Sequence, residues 1–503
     1  MNKIKVEVEA AGLSYPTVMT HSKNIVEYSN RSSQKCFPVI DTCRKDNDLI
    51  FSCTLEGQFQ ASRFASFVPA AGASSRWLAP LSKLILALNQ HRWDDLKIAM
   101  DESIEDGILN CPIPAKLRKF LLRYSQGVDM SSMDSSIGEA KDLVLDIESP
   151  KAFYPAVIEG NSFLEMKMRE DRSIPGLQAG IFVCPRGCQT QFQQSIEALS
   201  QQLGDAKYEV IEQGDSLATL RFDTRGEVCI LEDNVPSIVP AGHGALLRTL
   251  PVSKTIFPKV HSVWIRNIDN VVGTSKQVVE ASCAFLQTHE KLLLILSQIR
   301  KYYRSKEMDL VEAQAKLFLT HLKFRGEHVP ENQPSFQRLL TKVFQCSPSM
   351  NFNDNSHILS ILDRPFVSMG MVPNTAMDVG GTAVVANIEG EIHKVCLEVP
   401  HASAGDKAKF LEDPNMATHF NPVFVAVEVF SEDALANWND HPFWLIAKKK
   451  FRGQDVYYQE SILYEMIGCS KYTNLIFFEV PRILFNPHKS LHDAQRRFLK
   501  SWL

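Results

Sequence analysis

Five short segments combine residue types able to grip a polyphosphate with turn chemistry that would expose them. In Ala70-Ala71-Gly72-Ala73-Ser74-Ser75-Arg76, small residues let backbone N–H groups approach an anion, and Arg76 can pair with phosphate oxygens. Lys151 follows Ser149-Pro150 and precedes an apolar stretch read as a strand, a Gly160-Asn161 turn and a helix with Glu165 in its first turn. Val239-Pro240-Ala241-Gly242-His243-Gly244 sets two glycines around a histidine at a helix entry, where backbone can lie close to a flat base or a sugar. Trp264-Ile265-Arg266-Asn267-Ile268-Asp269 is an apolar strand ending in a carboxylate, and Mg²⁺ is usually shared between one or two such groups and substrate phosphates. Glu479-Val480-Pro481 opens a last segment that delivers Lys489 ahead of a short amphipathic helix. Singly, each has a plainer reading as a tight turn, a solvated lysine, a capped helix or a strand end.

These segments sit at the ends of elements that alternate along the chain. RFASFVP, AGIFVCP, KYEVIEQ, VHSVWIRNID, NPVFVAVEVF and NLIFFEVPRILF read as strands, and AVVANIEGEIHKVCLEV as a hairpin turning at Glu389-Gly390. Phe192, Ile196, Leu199 and Leu203 share one face of a helix ended by Gly204. The alternation predicts an α/β fold, with a mixed, mostly parallel central sheet and helices on both faces. In such sheets ligands sit outside the carboxyl ends of strands. Residues 1–60 carry only short apolar runs and predict an irregular arm or lead-in layer before a catalytic domain over 61–503. Two helical insertions are expected within it, at about 81–146 and 275–344.

Bulk properties narrow the function classes. With 503 residues, 45% hydrophobic, the chain can bury a large core. A net charge of −4, with 54 basic and 58 acidic side chains interspersed, gives no global pull toward nucleic acid. The amino terminus lacks the apolar core of a signal peptide, and runs such as Leu292–Leu296 are far short of a membrane span, so a cytoplasmic protein is expected. Eleven scattered cysteines suggest free thiols, and Cys184 and Cys188 have no second pair at zinc-ligand spacing.

Taken in order, the segments resemble those of UDP-sugar pyrophosphorylases, a branch of the nucleotide-diphospho-sugar transferase superfamily (GT-A-like fold). VPAAGASSR resembles the superfamily's opening nucleotide loop, PKAFYPAVIEGNSFLE its Pro-Lys element, and VWIRNIDNVVG the strand bearing its metal-binding Asp. YEVIEQG with VPSIVPAGHGALLRTL is similar to the region that contacts base and sugar, and EVPRILFNPHKS to the segment carrying a phosphate-contacting Lys. The similarity spans roughly Phe64 to Phe498 and lies nearest to an uncharacterised bacterial family of unknown function within the superfamily.

The resemblance implies a Mg²⁺-dependent nucleotidyltransferase acting on a nucleoside triphosphate, uridine favoured, and a sugar-1-phosphate. Arg76, Lys151 and Lys489 would neutralise phosphate charge, and Asp269 would hold Mg²⁺. Ala70, Ala71, Gly72, Ala73, Gln213, Gly214, Pro240, Gly242, His243 and Gly244 would bind the nucleotide, and Glu398 and Asn421 the sugar. Ser74 and Ser75 depart from the family's second Gly and its Thr, which bears on the shape of the phosphate cradle. Lys83 is nearer the loop than Lys151, but no strand, turn and helix follow it. Three other readings stay open: a glycosyltransferase of the same fold, a protein-directed nucleotidyltransferase, and a non-catalytic module that uses its helical insertions for a protein partner or dimer. For a glycosyltransferase, the single Asp-x-Asp triplet, Asp46-Asn47-Asp48, lies ahead of the opening loop, and Asn267-Ile268-Asp269 is a partial match.

Overall fold

The structure is a computed structural model. It describes residues 2–10, 13–31, 34–71, 77, 79–90, 93–127, 143–144, 147, 149–157, 160–204, 206–214, 217–231, 235–326, 333–345, 351–375, 380–430, 441–451 and 454–491. In chain order the strands are β1 (Val39–Thr42), β2 (Ile50–Ser52), β3 (Phe64–Pro69), β4 (Ala179–Cys184), β5 (Lys207–Glu212), β6 (Ala218–Leu220), β7 (Ile238–Pro240) and β8 (Ser262–Arg266). They continue with β9 (Phe366–Pro373), β10 (Gly381–Ile388), β11 (Glu391–Leu397), β12 (His419–Asn421), β13 (Phe424–Glu428), β14 (Trp444–Phe451), β15 (Gln454–Ser461) and β16 (Asn474–Glu479).

Among the described residues twelve strands form one mixed sheet in the order β1-β10-β12-β9-β13-β8-β3-β4-β5, with β11 on β10 and β16 between β9 and β2. Two parallel blocks compose it: β5-β4-β3-β8 and β9-β16-β2. β13 runs antiparallel to both β8 and β9 and joins them, so both blocks aim their carboxyl ends at the same edge. Alternation along β3 and β8 sorts the two faces: Ala65, Phe67, Val263 and Ile265 enter one core, while Phe64 and Trp264 enter another. The 29-residue helix Lys276–Arg304 covers the second face with Leu286, Leu293, Leu296 and Ile299, each such burial contributing about 1.5–3 kcal/mol. Helix Gln189–Leu203 adds Phe192 and Ile196 to a neighbouring core and ends where Gly204 takes φ +92°. The β10–β11 hairpin turns at Glu389 (φ +55°) and Gly390 (φ +93°), the two left-handed positions that a two-residue turn of this type requires.

Two stretches differ from the sequence expectation. Residues 1–60 hold helices Asn2–Ala10 and Tyr15–Arg31 as well as β1 and β2, which pair with β10 and β16 inside the main sheet. Strands of four and three residues are too short for a period to show. The apolar stretch after Lys151 is no strand either. Lys151–Phe153 is a 3₁₀ turn capped by Pro150, and only an isolated bridge, Pro155 to Ser162, precedes helix Phe163–Ser173. Pro155 has no N–H to give a ladder, which disfavours a regular strand there.

The described part of the 81–146 stretch contains helices Ser82–Asn89, Trp93–Glu105 and Ala115–Ser125. No helix among the described residues is long and apolar enough to cross a membrane. The ten described cysteines are free thiols.

Candidate active site

Ala70 and Ala71 follow β3, Gln213 and Gly214 follow β5, and Asp269 lies just past β8, so all sit at the carboxyl edge of the first parallel block. Backbone bonds extend the pairing to this rim: Ala70 N–H donates to the Val183 carbonyl (2.8 Å) and Gln213 N–H to that of Cys184 (2.9 Å). Gly72, Ala73, Ser74, Ser75 and Arg76 lie outside the described residues, which resume at Trp77.

Lys151 and Asp269 meet at this edge. Lys151 is buried, with Nζ 2.6 Å from Asp269 Oδ1. It also donates to the His488 carbonyl, and the Trp77 and Phe163 ring centroids lie 4.2 and 4.9 Å away. Those rings stand nearly perpendicular, 5.3 Å apart, and form two walls around the ammonium. His488 closes the group by donating its N–H to the Asp269 carbonyl (2.8 Å), which fixes Lys489 as the next residue along. Two asparagines clasp the strands beneath. Asn270 Nδ2 reaches the Leu484 carbonyl (2.9 Å), Asn486 N–H donates to Asn270 Oδ1 (2.7 Å), and Asn486 Nδ2 donates to the Val271 carbonyl (2.6 Å).

Behind Asp269 lies a buried ionic network. Glu170 accepts from Lys167 (2.8 Å) and Arg266 (3.0 Å) through Oε2, and from the N–H groups of Val272 (2.8 Å) and Gly273 (3.1 Å) through Oε1. Arg266 also pairs with Asp171, donates to Ser66 Oγ (2.8 Å) and lies over the Trp264 ring. Lys167 donates to the Asn270 carbonyl. Burial pushes the Asp171 carboxyl up against the pull of Arg266, and it pushes Lys167 down against that of Glu170. The loop carrying Asp269 is thereby tied at Asn270, Val271, Val272 and Gly273. The charges that make these tethers carry no local sequence signal: Lys167, Glu170 and Asp171 read as solvated residues of a polar helix, and only the fold sets Arg266 against them.

A second acidic group lies within electrostatic reach of Lys489. Glu398 follows β11, and its carboxyl is pushed up to about 7 by burial first and the nearby Glu465 second, while His401 and Lys489 pull it down. Its N–H donates to Glu465 Oε1. Glu465 and His401 are fully buried and form an ion pair at 2.6 Å. Burial alone would lower His401, but that carboxylate holds it above its ordinary value. Tyr464, its hydroxyl held far up by burial and by Cys396 and Glu398, donates to Asn421 Oδ1.

The Asn421 amide is committed to its own bend. Oδ1 also accepts from the N–H groups of Val423 (2.7 Å) and Phe424 (3.3 Å), and Nδ2 donates to the carbonyls of Gly370 (2.8 Å) and Phe424 (3.3 Å). It stabilises Val423 at φ +62°, a costly conformation for a β-branched residue, and has no capacity left for the sugar hydroxyl expected of it.

The Gly242 segment is held elsewhere along the same face. Pro240 ends β7, and Gly242 at φ +85° enters the 3₁₀ helix His243–Thr249 against Glu460, where an added Cβ would lie 3.1 Å from that side chain. Gly244 is buried in this turn, and Ala245, Leu246 and Leu247 share the core that holds Ala71, Phe67 and Val183. Lys83 is exposed and pairs with Glu102 at 2.6 Å, away from the Lys151 group. Asp48 is occupied by Gly326 N–H (2.9 Å) and Arg325.

Among the described residues no cluster of three or more His, Cys, Asp and Glu side chains could hold a metal alone. Asp269 is 27% exposed and offers one carboxylate oxygen beyond the one facing Lys151. That donor set fits an ion that takes most of its ligands from water and substrate phosphates, as Mg²⁺ does.

Residues 182–498 match the sequence profile of the family described as Domain of unknown function (DUF4301). No curated protein matches the chain. Among solved structures it is similar to UDP-glucose phosphorylase from Trypanosoma brucei, with 11% identity, 92% of this chain and 69% of that one covered, and a TM-score of 0.46. A UDP-glucose pyrophosphorylase variant from Leishmania major in complex with UDP-glucose gives 12% identity, 91% and 69% coverage and a TM-score of 0.47. Similarity at this level establishes no shared activity.

Proposed function

The chain belongs to the DUF4301 family, and we propose that it is a nucleotidyltransferase of the nucleotide-diphospho-sugar transferase type, moving UMP from UTP onto a sugar-1-phosphate. The observation that carries this reading is the approach of Lys151 Nζ to 2.6 Å from Asp269, next to Lys489, at the carboxyl edge of four parallel strands. A cation pre-set in an aromatic box and a rigidly tied carboxylate suit a reaction that asks for position and charge neutralisation rather than covalent catalysis.

A phosphate oxygen of the sugar-1-phosphate would attack the α-phosphorus in line, the bond to the bridging oxygen of the β-phosphate would break, and pyrophosphate would leave with that electron pair. Lys151 would turn from Asp269 toward the non-bridging oxygens, with Arg76 and Lys489 supplying further positive charge. Asp269 would hold Mg²⁺, which supplies charge neutralisation on the phosphates when bound. Ala70, Ala71, Gly72, Ala73, Gln213 and Gly214 would face the nucleotide, and Pro240, Gly242, His243 and Gly244 the base and sugar. Glu398, within electrostatic reach of Lys489, would accept a hydroxyl of the sugar.

Thermal shift over a nucleotide panel tests this. UTP should raise the melting temperature only with Mg²⁺ present. A response to UDP-sugar alone would favour glycosyl transfer, and no response to any nucleotide would favour a binding module without catalysis.

A further inference from the structure

A cavity of about 150 Å³ lies between helix Tyr15–Arg31, the β6–β7 pair and the β14–β15 hairpin, and shares none of its lining residues with the Lys151–Asp269 group. Its lining, all of it described residues, includes no carboxylate. Arg248 reaches it from the 3₁₀ helix His243–Thr249 and makes no ion pair or hydrogen bond with any described side chain or carbonyl, and its Nε is sealed from solvent without a partner. A largely buried guanidinium with no counter-charge among the described residues is costly, and such a cost is relieved when an anion arrives.

Two of the neighbouring polar groups, Gln459 and His441, have an acceptor engaged. Gln459 Oε1 accepts from Asn24 Nδ2 (2.8 Å), which leaves its NH₂ to donate. His441 Nδ1 accepts from Phe443 N–H (3.1 Å), so the neutral ring carries its proton on Nε2, 3.4 Å from Ser461 Oγ. His21 Nδ1 is engaged with Thr219 Oγ1 (3.0 Å). Burial, with Arg248 second, lowers His21 to about 4 and His441 to about 3, so both rings are neutral near pH 7. The cavity thus offers one cation, the donors of Gln459 and His441 and the Ser461 hydroxyl, with no carboxylate in its lining, which complements an anionic ligand that accepts hydrogen bonds.

We propose that this cavity is a second ligand site, for a small phosphate-type oxyanion held by Arg248, His441, Gln459 and Ser461. Free phosphate and pyrophosphate share the chemistry that these groups recognise. Isothermal titration of the full chain with inorganic phosphate, and separately with pyrophosphate, at fixed ionic strength and pH 7.5 tests the assignment; the lower of the two dissociation constants identifies the source. Wild type should show a saturable event that R248M weakens at least tenfold, S461A weakens less, and K489M leaves in place, separate from any pyrophosphate binding at the Lys151 edge that K489M removes. Without phosphate, R248M should melt no lower than wild type, because it keeps the side-chain stem and loses an unpaired charge. The proposal is overturned by absence of saturable binding in wild type, by unchanged binding in R248M, or by loss in K489M with retention in R248M, which would put the ion at the Lys151 edge.

Discussion

Lys151→Met separates a lysine kept for chemistry from one kept for the fold. The substitution retains a hydrocarbon stem between Trp77 and Phe163 and removes the charge 2.6 Å from Asp269. The lost charged hydrogen bonds are worth about 1.5–3 kcal/mol and the ring contacts about 1–2 kcal/mol. Against them stands the relief of a buried ammonium, several kcal/mol on the order expected for such ions. Asp269 keeps 27% exposure and is left with water as a partner, so it does not become a stranded buried charge. The net loss of stability should be small, about 1–2 kcal/mol, read as a modest fall in the urea midpoint at unchanged m-value. A cation acting on the transferred phosphate would cost about 3–4 kcal/mol, a loss of 10²- to 10³-fold in turnover. Urea unfolding and UTP-dependent pyrophosphate release, measured on the same preparation, give the two numbers. Stability falling by more than about 4 kcal/mol, the range for breaking a fully buried pair, with nucleotide turnover unchanged would refute the assignment and make Lys151 a structural cation.

Glu170→Gln should cost about 3–5 kcal/mol in urea unfolding, because Lys167 and Arg266 stay buried with one negative charge fewer and an amide donor faces the N–H groups of Val272 and Gly273; a loss below 1 kcal/mol, the surface-pair range, would show that the network does not fasten the Asp269 loop. Glu398 is raised from 4.5 to about 7, so the folded state binds its proton more tightly than the unfolded chain. Its contribution is complete below pH 4.5 and is lost as pH rises through about 7, by about 3 kcal/mol at most. Melting temperature against pH should therefore fall less steeply over that window in E398Q than in wild type, and parallel curves would contradict the shift.

How much of this was legible depended on the range of the interactions involved. Local period and turn chemistry carry β4, the helix ended by Gly204 and the Glu389-Gly390 hairpin, since each is decided by neighbours in sequence. β1 and β2 are four- and three-residue strands chosen by the partners β10 and β16, and Pro155 interrupts an apolar run that otherwise reads as a strand. Lys151 and Asp269 stood out singly, but their pairing comes from the bridge of Asn270 to Pro487 and from His488, which no spacing encodes. Asn421 enters as a sugar ligand only through the family resemblance; its amide is instead required by the Val423 bend. The charges of Lys167, Glu170 and Asp171 look solvated on a polar helix until Arg266 and Ser66 are brought against them from two other strands.

Pyrophosphate release over a matrix of nucleoside triphosphates and sugar-1-phosphates, run with the full chain and with Asp269→Ala, bears most directly on the central claim. UTP with at least one sugar phosphate should yield pyrophosphate in the presence of Mg²⁺, and the variant should yield none while still unfolding in one cooperative transition, at a temperature below wild type because the buried Lys151 ammonium loses its counter-charge. Equal release from both proteins would contradict the role of Asp269, and silence from wild type across the whole matrix would contradict the activity itself.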